Sequence, residues 1–402
     1  MKTDTTQQNI PNGWQATTLG KVASITNGST NTQDAIADGQ YPFFDRSIEI
    51  KRSNKYLFDD TAIILPGEGA EFIPRIYSGK FDLHQRAYAI FPDKNIVSPA
   101  YLYNFLYANR KDFVKSSVGS TVKSLRLPFI QSVDVSFPPI KEQQKIAEIL
   151  GAVDDDINKT QEVIKTTEKL KHGLMQQLFT RGIGHIKFKE TKIGQIPEEW
   201  DVVSIRNSSI KLIDGDRGTN YPKHEDFSPE GFCLFLSAKN VSKNGFIFDE
   251  VSFISQDKDR ALRKGKLERE DIILTSRGTV GNVAYYDEKI SFDNIRINSG
   301  MLIVRHGEQF DPVFLYRYFS SPQMEAKYSS MGSGSAQPQL PVGSLEQVEI
   351  PLIPISEQKE IASIISAVNE KILVNKKLKE KLTLLKKGLM QDLLSGSKRV
   401  KV

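Results

Sequence analysis

The residues "EQQKIAEIL" from Glu142 to Leu150 return almost unchanged as "EQKEIASII" from Glu357 to Ile365, 215 positions later. Each copy follows a proline-studded approach and opens a proline-free stretch, 142–178 and 356–394, in which apolar residues recur every three or four positions. That is the period of a helix. The copying also reaches far outward from these residues. The two tryptophans, Trp14 in "PNGWQATTLGKVASITNG" and Trp200 in "PEEWDVVSIRNSSIKLIDG", match at an offset of 186. "AIILPGEGA" from Ala62 matches "DIILTSRGT" from Asp271 at 209, and "PAYLYNFL" from Pro99 matches "PVFLYRYF" from Pro312 at 213. "GLMQQL" from Gly173 matches "GLMQDL" from Gly388 at 215. The chain is therefore two copies of one plan, differing most around residues 216–270.

Each copy has two parts. The first, 11–137 and again 197–352, carries short β-branched and aromatic runs ("TAIIL", "RAYAIF", "NVAYY", "MLIVR") broken by Gly, Pro, Asn and Asp, the pattern of a strand-rich mixed α/β domain. One amphipathic helix per copy is expected, "PAYLYNFLYANRKDFV" and "PVFLYRYFSSPQMEAKY", each opened by a proline. The second part is a long helix with heptads. Its a positions hold Ile146, Val153, Thr160, Thr167 and Leu174, and then Ile361, Val368, Asn375, Leu382 and Leu389. Its d positions hold Ile149, Val163 and Leu170, and then Ile364, Leu378 and Leu385, which argues coiled coil. At 1.5 Å per residue each helix is roughly 55–60 Å long.

Two copies of one plan pack most simply about an internal pseudo-two-fold axis, which sets the helices antiparallel. With full overlap, paired positions sum to about 535. That places Thr160 against Asn375 as a polar register pair and Asp154–Asp156 near Lys379 and Lys381. Gly173 and Gly388, inside helical pattern, suggest close approach of another backbone. The expected fold is α+β: two strand-rich mixed α/β domains, 1–137 and 183–352, separated by two long antiparallel coiled-coil helices, 138–182 and 353–396, with a basic tail at 397–402.

A length of 402 residues exceeds one ordinary core and agrees with two domains. With 39% hydrophobic and 26% charged residues the chain reads as globular, and no apolar run approaches a membrane span. The polar N-terminus carries no signal-peptide pattern. Cys233, alone of its kind, excludes an internal disulfide and multi-cysteine metal sites and fits a cytoplasmic location. A net charge of +5 allows a nucleic-acid partner without requiring one.

A search for catalytic constellations is negative. There is no G-x-x-x-x-G-K-[ST] phosphate loop. "FPPI" at Phe137 has the Pro-Pro turn of DNA amino-methyltransferases without the Asn, Asp or Ser that holds the target amine. His84, His172, His185, His224 and His306 show no metal-ligand spacing, and "DGD" at Asp214 reads as a turn. What remains are polar, basic loops beside strands: "LHQRAY" (83–88), "GSTVKSLR" (119–126), "SRGTVGN" (276–282), "FDNIRINSG" (292–300) and "GSGSAQPQLP" (332–341). Their side chains are of the kinds that pair with bases and phosphates.

The tryptophan near the start of each copy, "LRLPFIQSVDVSFPPIKEQQKIAEIL" with "LPVGSLEQVEIPLIPISEQKEIASII", and the helices closing on "GLMQ.L" together resemble the specificity subunit of type I restriction-modification systems over nearly the whole chain. The resemblance implies two target-recognition domains, each reading one half of a bipartite, asymmetric sequence in double-stranded DNA. It implies two methylation subunits and two restriction/translocase subunits as partners, with S-adenosylmethionine, ATP and Mg confined to those subunits, and neither catalytic residues nor a metal or other cofactor in this chain. DNA contacts are then expected from Arg46, His84, Gln85, Arg86, Lys123 and Arg126 in the first domain, and from Arg217, Arg277, Asn294, Arg296, Gln337 and Gln339 in the second. Glu142, Gln143, Glu357 and Gln358 are expected where a methylation subunit meets helix and domain. A different class, a non-catalytic coiled-coil scaffold with two protein- or glycan-binding domains, also fits the composition.

Overall fold

The computed structural model describes residues 10–331 and 339–402. The chain divides into two compact units: residues up to Glu162 together with Lys376–Val402, and Val163–Asn375. Each unit holds one strand-rich domain, the start of one long helix and the end of the other.

In the first unit a six-stranded sheet runs in the spatial order Ala23–Asn27, Ala87–Pro92, Phe58–Pro66, Arg75–Leu83, Tyr41–Phe44, Lys51–Ser53. All neighbours are antiparallel except Tyr41–Phe44 with Arg75–Leu83, which are parallel. The second unit keeps this order but splits the sheet. Lys211–Asp214, Met301–Arg305, Ile272–Thr275 and Val283–Tyr285 form one antiparallel sheet. Ile295–Ile297 pairs in parallel with Cys233–Leu236, which pairs with Phe253–Ile254. The long strand Arg75–Leu83 is thus matched by two short ones, because residues 286–294 interrupt its counterpart. A two-stranded ladder joins the ends of each domain, Gln15–Thr18 with Asp134–Phe137 and Asp201–Ser204 with Glu349–Leu352.

The single amphipathic helix expected in each copy is two helices. Pro99–Ala108 stops at Asn109, whose side-chain amide donates to Phe105 O (2.9 Å), and Arg110–Ser116 follows. Pro312–Phe319 stops before Pro322, which lacks the N–H to continue it, and Pro322–Met331 follows.

The long helices are Ile140–Arg181 and Ile355–Leu394. Their buried stripe corrects the expected seam. One line holds, through Ile146, Thr160, Thr167 and Ile361, but its companion lies at i+4, not i+3. Leu150, Ile164, Leu178, Ile365, Ile372 and Leu393 are buried, whereas the expected d residues Val163, Leu170, Leu378 and Leu385 are 40–55% exposed. The helices run antiparallel inside each unit. In the first, Lys386 donates to Asp154 (2.6 Å) and Lys379 to Gln161 (2.5 Å); in the second, Lys171 donates to Asn369 (2.9 Å). Each pair sums to 540, five residues from the expected register. Asp154 therefore meets Lys386, not Lys379 or Lys381. Of the expected register pair, Thr160 Oγ1 donates to Asp156 O and Asn375 Nδ2 to Lys371 O, each within its own helix. Among the described residues no other backbone approaches Gly173 or Gly388, where an added Cβ would meet open space.

The first domain's core joins Leu19, Ile63, Ile90, Leu102 and Ile130 to Ile146 and Leu150 of one long helix and to Met390, Leu393 and Leu394 of the other. The second repeats the arrangement with Trp200, Ile272, Val304 and Phe314 against Met175, Leu178, Phe179, Ile361 and Ile365. No helix among the described residues is long and apolar enough to cross a membrane.

Candidate nucleic-acid interface

Strand register brings the polar loops of each domain to one end of its sheet. In the first domain Pro66 lies opposite Ala87, and Asn27 opposite Tyr88. The segments that follow Asn27 and Pro66 and precede Ala87 therefore emerge side by side. Gly28 packs directly on Leu83, where an added Cβ would sit 1.9 Å from the carbonyl oxygen. The bridge Glu68–Ser124 and the bond Leu125 N to Gly67 O (2.8 Å) bring in the 119–126 loop.

Arg46, His84, Gln85, Arg86 and Lys123 converge there. Arg46 and Arg86 both pair with the carboxylate of Glu68, at 3.1 and 2.5 Å. Gln85 donates to Asn31 Oδ1 (2.6 Å). His84 Nδ1 accepts the Arg86 N–H (3.1 Å), so neutral His84 carries its proton on Nε2. Burial foremost, with Arg46 and Arg86 nearby, holds its pKa below the usual histidine value. Arg126 is exposed at the start of the short helix Leu127–Ser132.

In the second domain Thr275 lies opposite Met301, and Gly215 packs on Asn298, where a Cβ would sit 2.2 Å from its carbonyl oxygen. Arg217 reaches Asp214 (2.9 Å) and Ser299 O (3.3 Å), Arg277 N donates to Gly300 O, and Arg277 bridges to Gln339. Arg217, Arg277 and Gln339 thus share one loop cluster. Gln337 lies outside the described residues.

Two expected contacts in this domain lie elsewhere. Asn294 accepts from Lys266 (3.0 Å). Arg296 is buried, donating Nε to Asp259 Oδ1 (2.6 Å) and its other nitrogens to the carbonyls of Lys264, Asp259 and Leu262. All three nitrogens of its guanidinium are engaged inside the domain. Burial opposes the charge on Asp259, yet the bonds from Lys266 and Arg296 hold its pKa below the ordinary carboxylate range.

Sequence reasoning passed over Glu68, Asn31 and Asp45. Asp45 is buried and folds the Arg46 loop, accepting from Ser47 N (2.8 Å) and Lys51 (2.6 Å). The signal for Glu68 was available, because the offset of 209 places it opposite Arg277, a charge reversal at matched loops.

The four residues expected at a partner surface are engaged inside the fold. Gln143 accepts from Ser98 N (2.8 Å) and donates to Ile96 O and Pro138 O. Gln358 accepts from Asp311 N (2.8 Å) and donates to Gln309 O and Ile353 O. Each amide ties the long helix to its domain. Glu357 accepts from Trp200 Nε1 (2.9 Å) and Ile183 N (2.9 Å), with His185 Nε2 3.0 Å away. Glu142 takes both Arg399 Nε and Nη2, at 2.7 and 2.6 Å.

Residues 396–399 and 182–185 are therefore equivalent. Gly182 and Gly396, both with positive φ, lie against Trp200 and Trp14, and His185 and Arg399 occupy matching carboxylates. The basic tail is a strap on the first domain, and Arg399 also donates to Asn12 O (2.7 Å).

The hydrogen-bonded Arg399 holds Glu142 below its ordinary value of 4.5. A depressed folded pKa means the strap's stabilisation is complete above that value and is lost as pH falls through the lowered one. Proteolytic clipping of the tail should accordingly rise under acid, and Arg399→Ala should be clipped readily at neutral pH as well.

Residues 11–166 and 197–384 match the family model described as the type I restriction modification DNA specificity domain. The chain is 27% identical to the type I restriction enzyme MjaVIII specificity subunit of Methanocaldococcus jannaschii, over 98% of this chain and 94% of that one. It is 23% identical to the type I restriction enzyme EcoDI specificity subunit of Escherichia coli, over 88% and 80%. Among solved structures it resembles the S subunit of a type I restriction-modification system from M. genitalium, with a TM-score of 0.63 at 17% identity, covering 97% and 98% of the two chains.

Proposed function

Because this chain belongs to the type I restriction-modification DNA specificity family, we propose that each strand-rich domain reads one half of a bipartite target in double-stranded DNA. The chain is a specificity subunit and catalyses no reaction itself. The observation that carries the division of labour is one scaffold with two chemistries. The same sheet ends present Arg46, Gln85 and Arg86 around an acid in one domain, and Arg217, Arg277 and Gln339 in the other. The long helices set the distance between half-sites and dock two methylation subunits. Two restriction/translocase subunits complete the assembly in the cytoplasm, and S-adenosylmethionine, ATP and magnesium belong to those partners. The scaffold alternative finds no support among the relatives.

Mapping methylated adenines in the genome that carries this gene, with and without it, tests the reading: one bipartite motif should vanish. Arg277→Ala should relax only the second half-site. A good bidentate contact discriminates by about 1–3 kcal/mol, which corresponds to roughly 5- to 150-fold. A uniform loss across sequences would instead mark a phosphate contact.

A further inference from the structure

We propose that Glu68 is a positioning residue for base recognition: its carboxylate, shared by Arg46 and Arg86, aims both guanidinium groups at guanines in the first half-site. The proposal rests on the function above. Three features of the loop cluster support it.

The first is the gradient of exposure. The Glu68 side chain is 12% exposed, while Arg46 and Arg86 are 59% and 61% exposed. The acid forms the floor and the two cations the outer surface. The second is spare donor capacity. Each arginine spends Nη1 on Glu68, and among the described residues neither side chain has another hydrogen-bond acceptor. A guanidinium has five N–H donors, so each keeps a free edge suited to O6 and N7 of guanine. The third is hydrogen-bonded backbone beneath all three, with Gly67 N donating to Arg86 O (2.9 Å). Asp45 folds the Arg46 loop, Arg75 Nη2 holds Ser47 O (2.6 Å), and the bridge to Ser124 pins Glu68.

A phosphate asks only for charge, whereas a base edge requires a guanidinium whose plane is held. Both cations lie in solvent, so each pair contributes little to stability, and Glu68→Gln keeps the size and polarity of the side chain beneath them. The second copy places Arg277 at the matched position of the same loop. Glu68 belongs to what the first domain reads.

The test is methylated-adenine mapping in cells whose full chain carries Glu68→Gln, Glu68→Asp, Arg46→Ala or Arg86→Ala, beside thermal unfolding of each purified variant. Glu68→Gln should lower guanine preference in one half-site at least tenfold, leaving the other half-site and the unfolding temperature unchanged. Glu68→Asp should recover part of that preference. The proposal is overturned if the first half-site contains no guanine, or if Glu68→Gln keeps the original motif while an arginine variant alters it. Equal decay of both half-sites also overturns it. If removing the whole chain changes no methylation motif, the specificity function itself fails, which is a distinguishable result.

Discussion

Arg296→Ala is expected to unfold much of the second domain's three-stranded sheet, Ile295–Ile297 with Cys233–Leu236 and Phe253–Ile254, not to relax its sequence preference. The pair it forms with Asp259 is buried, with side chains 8% and 7% exposed, and the helix Gln256–Ala261 is held to the strand Ile295–Ile297 through it. Removing the cation leaves a buried carboxylate whose one remaining ion partner among the described residues is Lys266, and breaking such a pair costs about 3–5 kcal/mol. Hydrogen exchange across residues 233–297 should accelerate sharply while the first domain keeps its protection. Replacing both partners, Arg296→Met with Asp259→Leu, should recover only part of the loss: the desolvation of both charges disappears together, but the carbonyls of Lys264, Asp259 and Leu262 stay without their donor. A stable Arg296→Ala protein with one relaxed half-site would contradict this account.

Gln358→Ala should have the next largest effect, about 3 kcal/mol. The amide is fully buried, and its loss strands Ile353 O in the interior and Asp311 N and Gln309 O in part-buried positions. Gln143→Ala should do the same through Ser98, Ile96 and Pro138. Thermal unfolding by circular dichroism reads the loss. At low temperature the folded variants should still co-purify with methylation subunits, whereas a direct contact role would abolish capture with the unfolding temperature unchanged.

Arg296 shows what a strand pattern leaves open. "NIRIN" alternates as a strand does, which turns Arg296 away from the face of Ile295 and Ile297 and suggests solvent. That second face is covered by residues 259–264, which lie 32 to 37 positions away in the chain. The helix seam failed for another reason. Adjacent apolar pairs, Ile149–Leu150, Val163–Ile164 and Ile364–Ile365, let the heptad be read with either member. The true line was disguised by Lys171, Lys379 and Lys386, whose stems lie along the seam while their ammonium groups reach partners across it.

Two copies of one domain, a long helix after each, and the loops that differ between copies are all written in the letters of the chain. Repeats, periodicity and loop chemistry are local properties, legible one stretch at a time. Tertiary structure alone decided which polar side chains face outward, because that depends on partners distant in the chain: Glu68 with Arg46 and Arg86, Asp259 with Arg296, Gln358 with Asp311, Glu142 with Arg399. An exposed arginine and a buried one are the same letter. Whether an acid lies beneath it or encloses it is settled only when the strands pair.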